Sequence, residues 1–390
     1  MKNKILLISP YFPYPHHDGG RARMYNLIKH LAPYYNIYLL SFISSEEEKQ
    51  YIPHMEQYCK KVFVVLQRET GCIKNSKLPR TITCSYTKEM VQMLRKVINE
   101  VNPDLVQIDF FNMSIYVKHI SNIPVIYTNH DISSLSFKQS FYDRDLPEKQ
   151  RFIEWSKIVY YEKQILKYFH SIIVLTQRDQ KLLKAFSPKS SSVVIPTGVD
   201  IDYYFPVHKK ADKENNKLLF VGHYKHYPNY EAVMYFVEKI LPLICKSIKK
   251  VKFTIAGSGM HGEVLRLRHD NINFVCDADD LREYYSQATV FVAPVRLGGG
   301  IKGKVLEAMA CGVPVVATKE VQEGIKCVSG KHLVIAKNEA DFAKQTIKLL
   351  RNKSYRNRIA LHGRKFVEQY YDWNNIASKL DSFYHKILYK

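Results

Sequence analysis

Residues 289–318 read TVFVAPVRLGGGIKGKVLEAMACGVPVVAT: a short apolar strand, a glycine loop, a helix and a second apolar strand. Gly298, Gly303 and Lys304 satisfy the G-x-x-x-x-G-K spacing of a nucleotide hydrolase, but Val305 stands where Ser or Thr is needed to hold magnesium. Glycines let backbone amides approach a ligand, and a helix start carries a partial positive charge, so the loop reads as an anion site. Lys302 and Lys304 sit at that same positive end, misplaced by up to about 1 kcal/mol unless an anion joins them. Two readings follow. Either both lysines point to solvent and Lys304 pairs with Glu307 three residues on, or the loop holds a diphosphate. In the second reading Glu307, one turn into the helix, reaches past the phosphates, where its carboxylate can accept both hydroxyls of a ribose.

Working outward, short apolar runs alternate with helical patterns along the whole chain, which predicts parallel sheets built from β-α-β units. The first half offers KILLIS, IYLLSF, VFVVL, DLVQID, PVIYTN, SIIVLT and SVVIP; the second offers KLLFVG, KFTIAG, INFVC, TVFVAP, VPVVAT and HLVIA. The helical patterns include GGRARMYNLIKHLA and EKQRFIEWSKIVYYEKQILKYF. The stretch HKKADKENNK is charged and almost free of apolar residues, as a linker would be. The predicted organisation is therefore α/β: a Rossmann-like domain over 1–196, a linker over 197–216, and a second Rossmann-like domain over 217–370. A C-terminal helix over 371–390 can cross back to the first domain. Two doubly wound sheets imply a cleft, with ligands beyond the carboxyl ends of the strands. The first strand lacks a spaced G-x-G-x-x-G and the second lacks a terminal acid, which weighs against a nicotinamide dehydrogenase.

A chain of 390 residues that is 46% hydrophobic is long enough to fill two cores. Its 58 Lys and Arg against 37 Asp and Glu give a formal charge of +21, shared almost equally by the two halves. That excess favours an anionic partner, but no basic tail suggests a nucleic-acid arm. The densest basic stretch is residues 60–80, KKVFVVLQRETGCIKNSKLPR, bounded by Lys60 and Arg80, a solvated edge or a contact with an anionic membrane. Seven scattered cysteines without a C-x-x-C pair predict buried or free thiols in a reducing, cytoplasmic compartment. The N-terminal MKNKILLISPYFPYP reads as a first strand rather than a signal peptide. No apolar run reaches the roughly 20 residues of a membrane span.

The run APVRLGGGIKGKVLEAMACGVPVVAT resembles the nucleotide-sugar motif of family 4 glycosyltransferases, whose GT-B fold places two Rossmann-like domains face to face. PYFPYPHHDGGRARMYNLIKHLA, VIPTGVDIDYYFP, LLFVGHYKHYPNYEAV and FTIAGSG agree with the same family in the same order. In the family pattern E-x7-E, Glu307 matches the second Glu, the ribose ligand, and the first falls at Gly299. The amides of Gly299, Gly300 and Ile301 are left to face sugar and phosphate. One branch of the family carries G-G-G-T-R-x-K, which GGGIKGK resembles with Lys302 for the Arg and Lys304 for the Lys. Gly222 and Gly257 fall in the second-domain segments, and His223 replaces an Arg common after the V-G. Gly19 and Gly20 resemble the loop facing the donor phosphates, and His130 matches the His lining the active site near the transferred sugar.

The resemblance implies a nucleoside-diphosphate sugar as donor, a glycan or lipid-linked acceptor, retention of anomeric configuration, and neither cofactor nor required metal. Read without it, His130 is also a polar loop residue and Gly19-Gly20 a turn. Asp277-Ala278-Asp279 is an Asp-x-Asp, but Asp279 or Asp280 also fits a helix N-cap with Glu283 nearby. His16-His17 and His223/His226 lack a third convergent metal ligand in the sequence, and His17 is a candidate lining residue on the acceptor side. The alternatives are an epimerase or hydrolase of nucleotide sugars on the same fold and a non-catalytic basic binding protein.

Overall fold

The computed structural model describes residues 2–16, 18–67, 76–132, 147–207, 216–260, 262–267, 270–278 and 280–389. Two compact units emerge. One comprises Met1–Thr197 with Trp373–Lys390, the other Gly198–Asp372. Residues 208–215 of the expected linker, 68–75 of the basic stretch, His17 and Asp279 lie outside the described residues.

The first unit holds β1 (Lys4–Ser9), β2 (Asn36–Ile43), β3 (Lys61–Leu66), β4 (Leu105–Asp109), β5 (Val125–Asn129), β6 (Ser171–Val174) and β7 (Ser192–Val194). All pairings are parallel, in the order β3-β2-β1-β4-β5-β6-β7. A parallel sheet is covered on both faces, and its strands are accordingly mostly apolar, with Gln107 and Asp109 of β4 among the buried polar exceptions. In β1, Leu6 and Ile8 enter one core cluster while Ile5 and Leu7 enter the other. The second cluster is completed from far along the chain. The helix Trp373–Leu388 buries Trp373, Ile376, Ala377, Leu380 and Tyr384, a stripe at helical spacing. These side chains join the cluster of Tyr25, Ile28, Leu31 and Tyr35, and Tyr35 donates its hydroxyl to Asp381 at 2.7 Å. Each large buried side chain contributes roughly 1.5–3 kcal/mol, so this helix is integral to the first unit.

The second unit holds β8 (Lys217–His223), β9 (Lys252–Ser258), β10 (Ile272–Cys276), β11 (Val290–Ala293), β12 (Val315–Ala317) and β13 (Val334–Ile335), parallel in the order β10-β9-β8-β11-β12-β13. Its two ends meet, Val199 donating its amide to the Tyr371 carbonyl at 2.8 Å. In both sheets the strand order reverses at one place, beside β1/β4 and beside β8/β11. Ligands of open α/β sheets bind at the carboxyl ends of such pairs.

Local details depart from the sequence reading in two places. Cys84 is disulfide-bonded, whereas Cys59, Cys245, Cys276, Cys311 and Cys327 are free thiols. The expectation of unpaired thiols throughout is corrected there, because pairing depends on proximity in space rather than on a C-x-x-C motif. At the start of the helix Arg282–Gln287 the cap position is Leu281, while Asp280 accepts the Arg282 amide at 2.8 Å and also binds its guanidinium.

Candidate active site

At the reversal point of the second sheet, β8 ends in Gly222-His223 and β11 leads into the glycine loop and the helix Gly303–Ala310. The strand ends touch closely. Gly222 pairs with Gly257 of β9, and a Cβ added to Gly257, whose φ is +132°, would lie 1.9 Å from the Gly222 carbonyl oxygen. Only glycine fits, so the two strand ends pack backbone against backbone here. His223 shares a 2.9 Å hydrogen bond between Nδ1 and the Ser258 hydroxyl.

The loop turns through Gly298 and Gly300, both at positive φ, and Gly300 lies against Gly324. Lys302 folds back on it, its ammonium donating to the Gly298 carbonyl at 2.9 Å and to that of Gly299. Lys302 therefore braces the loop carbonyls. Gly299 and Gly300 stay at the loop surface, whereas Ile301 packs against the core.

Lys304 neither points freely to solvent nor pairs with Glu307. Its half-buried Nζ donates to Asn229 Oδ1 at 2.6 Å and lies 4.4 Å from the centre of the Phe220 ring. Asn229 is fixed in turn by donating to the His223 carbonyl at 2.9 Å. A Cβ on Gly222 would come within 3.2 Å of Lys304 Nζ, so the glycine makes room for the ammonium. Burial pushes the Lys304 ammonium down to about 7, Lys302 adds to the fall, and Glu307 opposes it. His226 is lowered by burial and then by the same two lysines. Two cations and a helix N-terminus thus converge where no protein carboxylate neutralises Lys304 by direct contact among the described residues, an arrangement suited to an anion.

Glu307 lies one turn along. Tyr285, fully buried, donates its hydroxyl to Glu307 Oε2 at 2.8 Å, while Oε1 lies on the side of Gly303. Burial raises the Glu307 pKa; the Tyr285 hydrogen bond and Lys304 oppose the rise. Arg364 anchors the far end of the helix through the Ala310 carbonyl at 2.7 Å and the Tyr204 carbonyl at 2.6 Å, its charge at the favourable helix terminus.

In the first unit, the reversal point at β1/β4 gathers a second group. His130, just beyond β5, places Nε2 3.1 Å from Asp109 Oδ1 at the end of β4. Its ring stacks on Phe110 at 3.6 Å between centroids. Phe110 has φ +70°, a conformation costing on the order of 1–3 kcal/mol for a non-glycine residue. Gly19 and Gly20 open the helix Gly19–Leu31, capped by Asp18, which accepts the Gly20 and Arg21 amides at 2.9 Å. The Gly20 amide is thus engaged within the cap. A Cβ at Gly20 would strike Tyr11 and Phe110.

The structure brings Gly222, His223, Gly257, Gly299, Gly300, Lys302, Lys304 and Glu307 to one end of one sheet, and Gly19, Gly20 and His130 to the corresponding end of the other. Asn229, Tyr285 and Asp109 were not singled out in the sequence. Asp109, an acid closing the strand DLVQID, carried a readable signal; Asn229 and Tyr285 belong to other elements and carried none. Among the described residues no group of three or more His, Cys, Asp and Glu is placed to hold a metal ion. No described helix is long and apolar enough to cross a membrane. Of the basic stretch, Lys60 is exposed and Lys61 pairs with Glu100.

Two parallel-sheet α/β domains with a glycine loop and helix at the second sheet's reversal point define a protein of the GT-B class. The family model "Glycosyltransferase Family 4" matches residues 18–203 and "Glycosyl transferases group 1" matches 215–352, and the chain belongs to the family 4 glycosyltransferases. It is 31% identical to the phosphatidyl-myo-inositol mannosyltransferase of Mycobacterium leprae over 51% of this chain and 54% of that protein, spanning about half of that relative. Sucrose-phosphate synthase from Thermosynechococcus elongatus superposes with a TM-score of 0.78 at 17% identity, covering 99% of each chain. Anabaena HepE in complex with UDP and glucose superposes at 0.69 with 14% identity, covering 98% of this chain and 100% of that one. These two likenesses are of fold.

Proposed function

We propose that this glycosyltransferase moves a sugar from a nucleoside diphosphate to a glycan or lipid-linked acceptor, with retention of configuration and without a metal. The observation that carries the reading is Lys304, partly desolvated at a helix N-terminus and held by a neutral amide. The diphosphate sits on the first turn of Gly303–Ala310 against Lys304, with Lys302 holding the loop in shape. Gly222, His223 and Gly257 let it approach the strand ends, and the surface of Gly299 and Gly300 faces the sugar. Glu307 accepts the ribose hydroxyls, steadied by Tyr285. As the bond from the anomeric carbon to the diphosphate oxygen breaks, negative charge grows on the leaving group beside Lys304. The acceptor oxygen bonds to the anomeric carbon on the same face, and its proton passes to the departing diphosphate. No protein nucleophile is needed. The UDP-bound neighbour supports a nucleotide donor, and the mannosyltransferase relative supports an acceptor carried on a lipid.

The test is acceptor-dependent release of nucleoside diphosphate from a panel of nucleotide sugars, with the product's anomeric configuration read by NMR. Transfer should retain configuration and continue in excess EDTA. Inversion, or loss in EDTA restored by manganese or magnesium, would overturn the mechanism; release of sugar without consumption of acceptor would favour a hydrolase.

For a lipid-linked acceptor, the stretch bounded by Lys60 and Arg80 is the proposed contact with an anionic membrane. Each basic residue near such a surface contributes roughly 1 kcal/mol and is screened within a Debye length. Binding to anionic vesicles should fall as salt rises. Equal sedimentation with neutral and anionic vesicles would remove the contact.

A further inference from the structure

His130 has two ring nitrogens, and its neighbours decide which one carries the proton. An ionised carboxylate only accepts hydrogen bonds, so the 3.1 Å contact with Asp109 Oδ1 requires the hydrogen on Nε2. Asp109 is itself held in place. Its Oδ2 accepts from the Gln107 side-chain amide at 2.8 Å, and Gln107 Oε1 accepts the Tyr384 hydroxyl at 2.6 Å. The direction of this chain is unambiguous: the carboxylate must face the amide nitrogen of Gln107, which turns the amide oxygen toward Tyr384.

The surroundings keep the ring neutral. Burial lowers the His130 pKa and Arg23 lowers it further, whereas Asp109, through its hydrogen bond and charge, and Asp18 oppose the fall. Arg23, wholly buried in the helix Gly19–Leu31, donates Nη1 to the Pro196 carbonyl at 2.5 Å. Among the described residues its Nε and Nη2 find no hydrogen-bond partner, so its charge is balanced through space, and Asp109 supplies the largest balancing influence. In a neutral ring protonated at Nε2, Nδ1 bears a lone pair. Phe110, stacked on the ring, fixes the plane in which that lone pair lies.

We propose that Asp109 is a positioning residue that fixes His130 as the Nε2–H tautomer, so that Nδ1 accepts a hydrogen bond from a substrate hydroxyl, and that Tyr384 and Gln107 hold Asp109 for this task. The inference rests on the glycosyltransferase reading for the identity of the substrate, but its first half concerns the protein alone. His130 then serves as a hydroxyl acceptor rather than a proton donor. A sugar lacking the matching hydroxyl leaves a partly buried acceptor unpaired and is disfavoured. Tyr384 belongs to the C-terminal helix, which makes that helix a support of the site and not only a cover for the core.

The tautomer is measurable by long-range ¹H–¹⁵N NMR on selectively labelled histidine, without turnover. Wild type should show protonated Nε2 and bare Nδ1 at His130. In Asp109→Asn the new amide can donate to Nε2 and drive the proton to Nδ1; in Tyr384→Phe, a milder change that keeps the buried ring, the two tautomers should mix. Both variants should retain wild-type circular dichroism. With a donor that wild type uses, Asp109→Asn should lower kcat/KM on the order of tenfold to a hundredfold. With the deoxy analogue lacking the contacted hydroxyl it should lose much less. A protonated Nδ1 in wild type, or an unchanged Nε2–H tautomer in folded Asp109→Asn and Tyr384→Phe alike, would overturn the positioning role. A switched tautomer with equal losses on both donors would overturn the hydroxyl contact. Failure to find any glycosyl donor would overturn the transferase reading while leaving the tautomer result standing.

Discussion

Replacing Lys304 by alanine is expected to slow transfer far more than it weakens donor binding. Removing one preorganised donor from an oxyanion site typically costs about a hundredfold to a thousandfold in turnover, and in the proposed mechanism Lys304 faces charge that develops only as the glycosidic bond breaks. Burial of this ammonium costs the fold rather than supporting it, so the variant should remain folded. Its pKa, pushed down to about 7, adds a signed pH dependence. The diphosphate prefers the charged lysine, so donor affinity should weaken as pH rises through 7, and binding near neutrality should take up protons. For the empty protein the sign is opposite. The unfolded chain holds this proton up to about 10.4, so this group's contribution to folding stability rises with pH above 7. Initial rates and calorimetric dissociation constants for wild type, Lys302→Ala and Lys304→Ala decide the matter. Wild-type rates in both variants would sink the diphosphate cradle. A loss confined to donor affinity in Lys304→Ala would place the lysine in ground-state binding alone.

Glu307→Gln should weaken nucleotide binding by roughly 1.5–3 kcal/mol, the range for a hydrogen bond to a charged group, or about tenfold to over a hundredfold in dissociation constant. The substitution keeps the shape of the side chain and leaves Tyr285 an oxygen to which it can donate. What is lost is the charge that two ribose hydroxyls would share. Because burial already raises the Glu307 pKa, the neutral variant is no harder to bury, and a loss of affinity cannot be put down to unfolding. Titration of a nucleoside diphosphate in a calorimeter measures the change; equal affinity with unaltered circular dichroism would end the ribose assignment.

The thirteen strands among the described residues are legible in the sequence because each is a short apolar run, a pattern that needs no knowledge of neighbours and holds even for β7 and β10, which are only partly buried. The glycine loop and the helix after it are legible for the same local reason. The partners of the site are not. Asn229 lies 75 positions from Lys304, and neither residue signals the other, so the sequence offered solvent, Glu307 or a bound diphosphate as partners of Lys304 but not Asn229. Lys302 turns onto carbonyls of its own loop, a consequence of backbone geometry at Gly298 and Gly300 that composition does not reveal. Asp109 at the end of β4 and His130 just beyond the adjacent β5 stand 21 positions apart and meet only when β4 and β5 pair. The disulfide of Cys84 escaped notice because scattered cysteines carry no marker of proximity.

The helix Trp373–Leu388 ties the first unit to the timing of synthesis. The second unit, Gly198–Asp372, is one uninterrupted stretch and can fold as soon as it leaves the ribosome. The first unit cannot, since residues that cover Tyr25, Ile28 and Leu31 are translated only after the whole second unit. At typical elongation rates of about 5–20 residues per second, the intervening stretch takes roughly ten to thirty seconds to make. For that interval the nascent chain carries a sheet with one face only partly covered, and Gln107 waits without the hydroxyl of Tyr384. A chain released early through a premature stop codon would leave part of that apolar face permanently bare, a substrate for chaperones and proteases even though the second unit could still have folded.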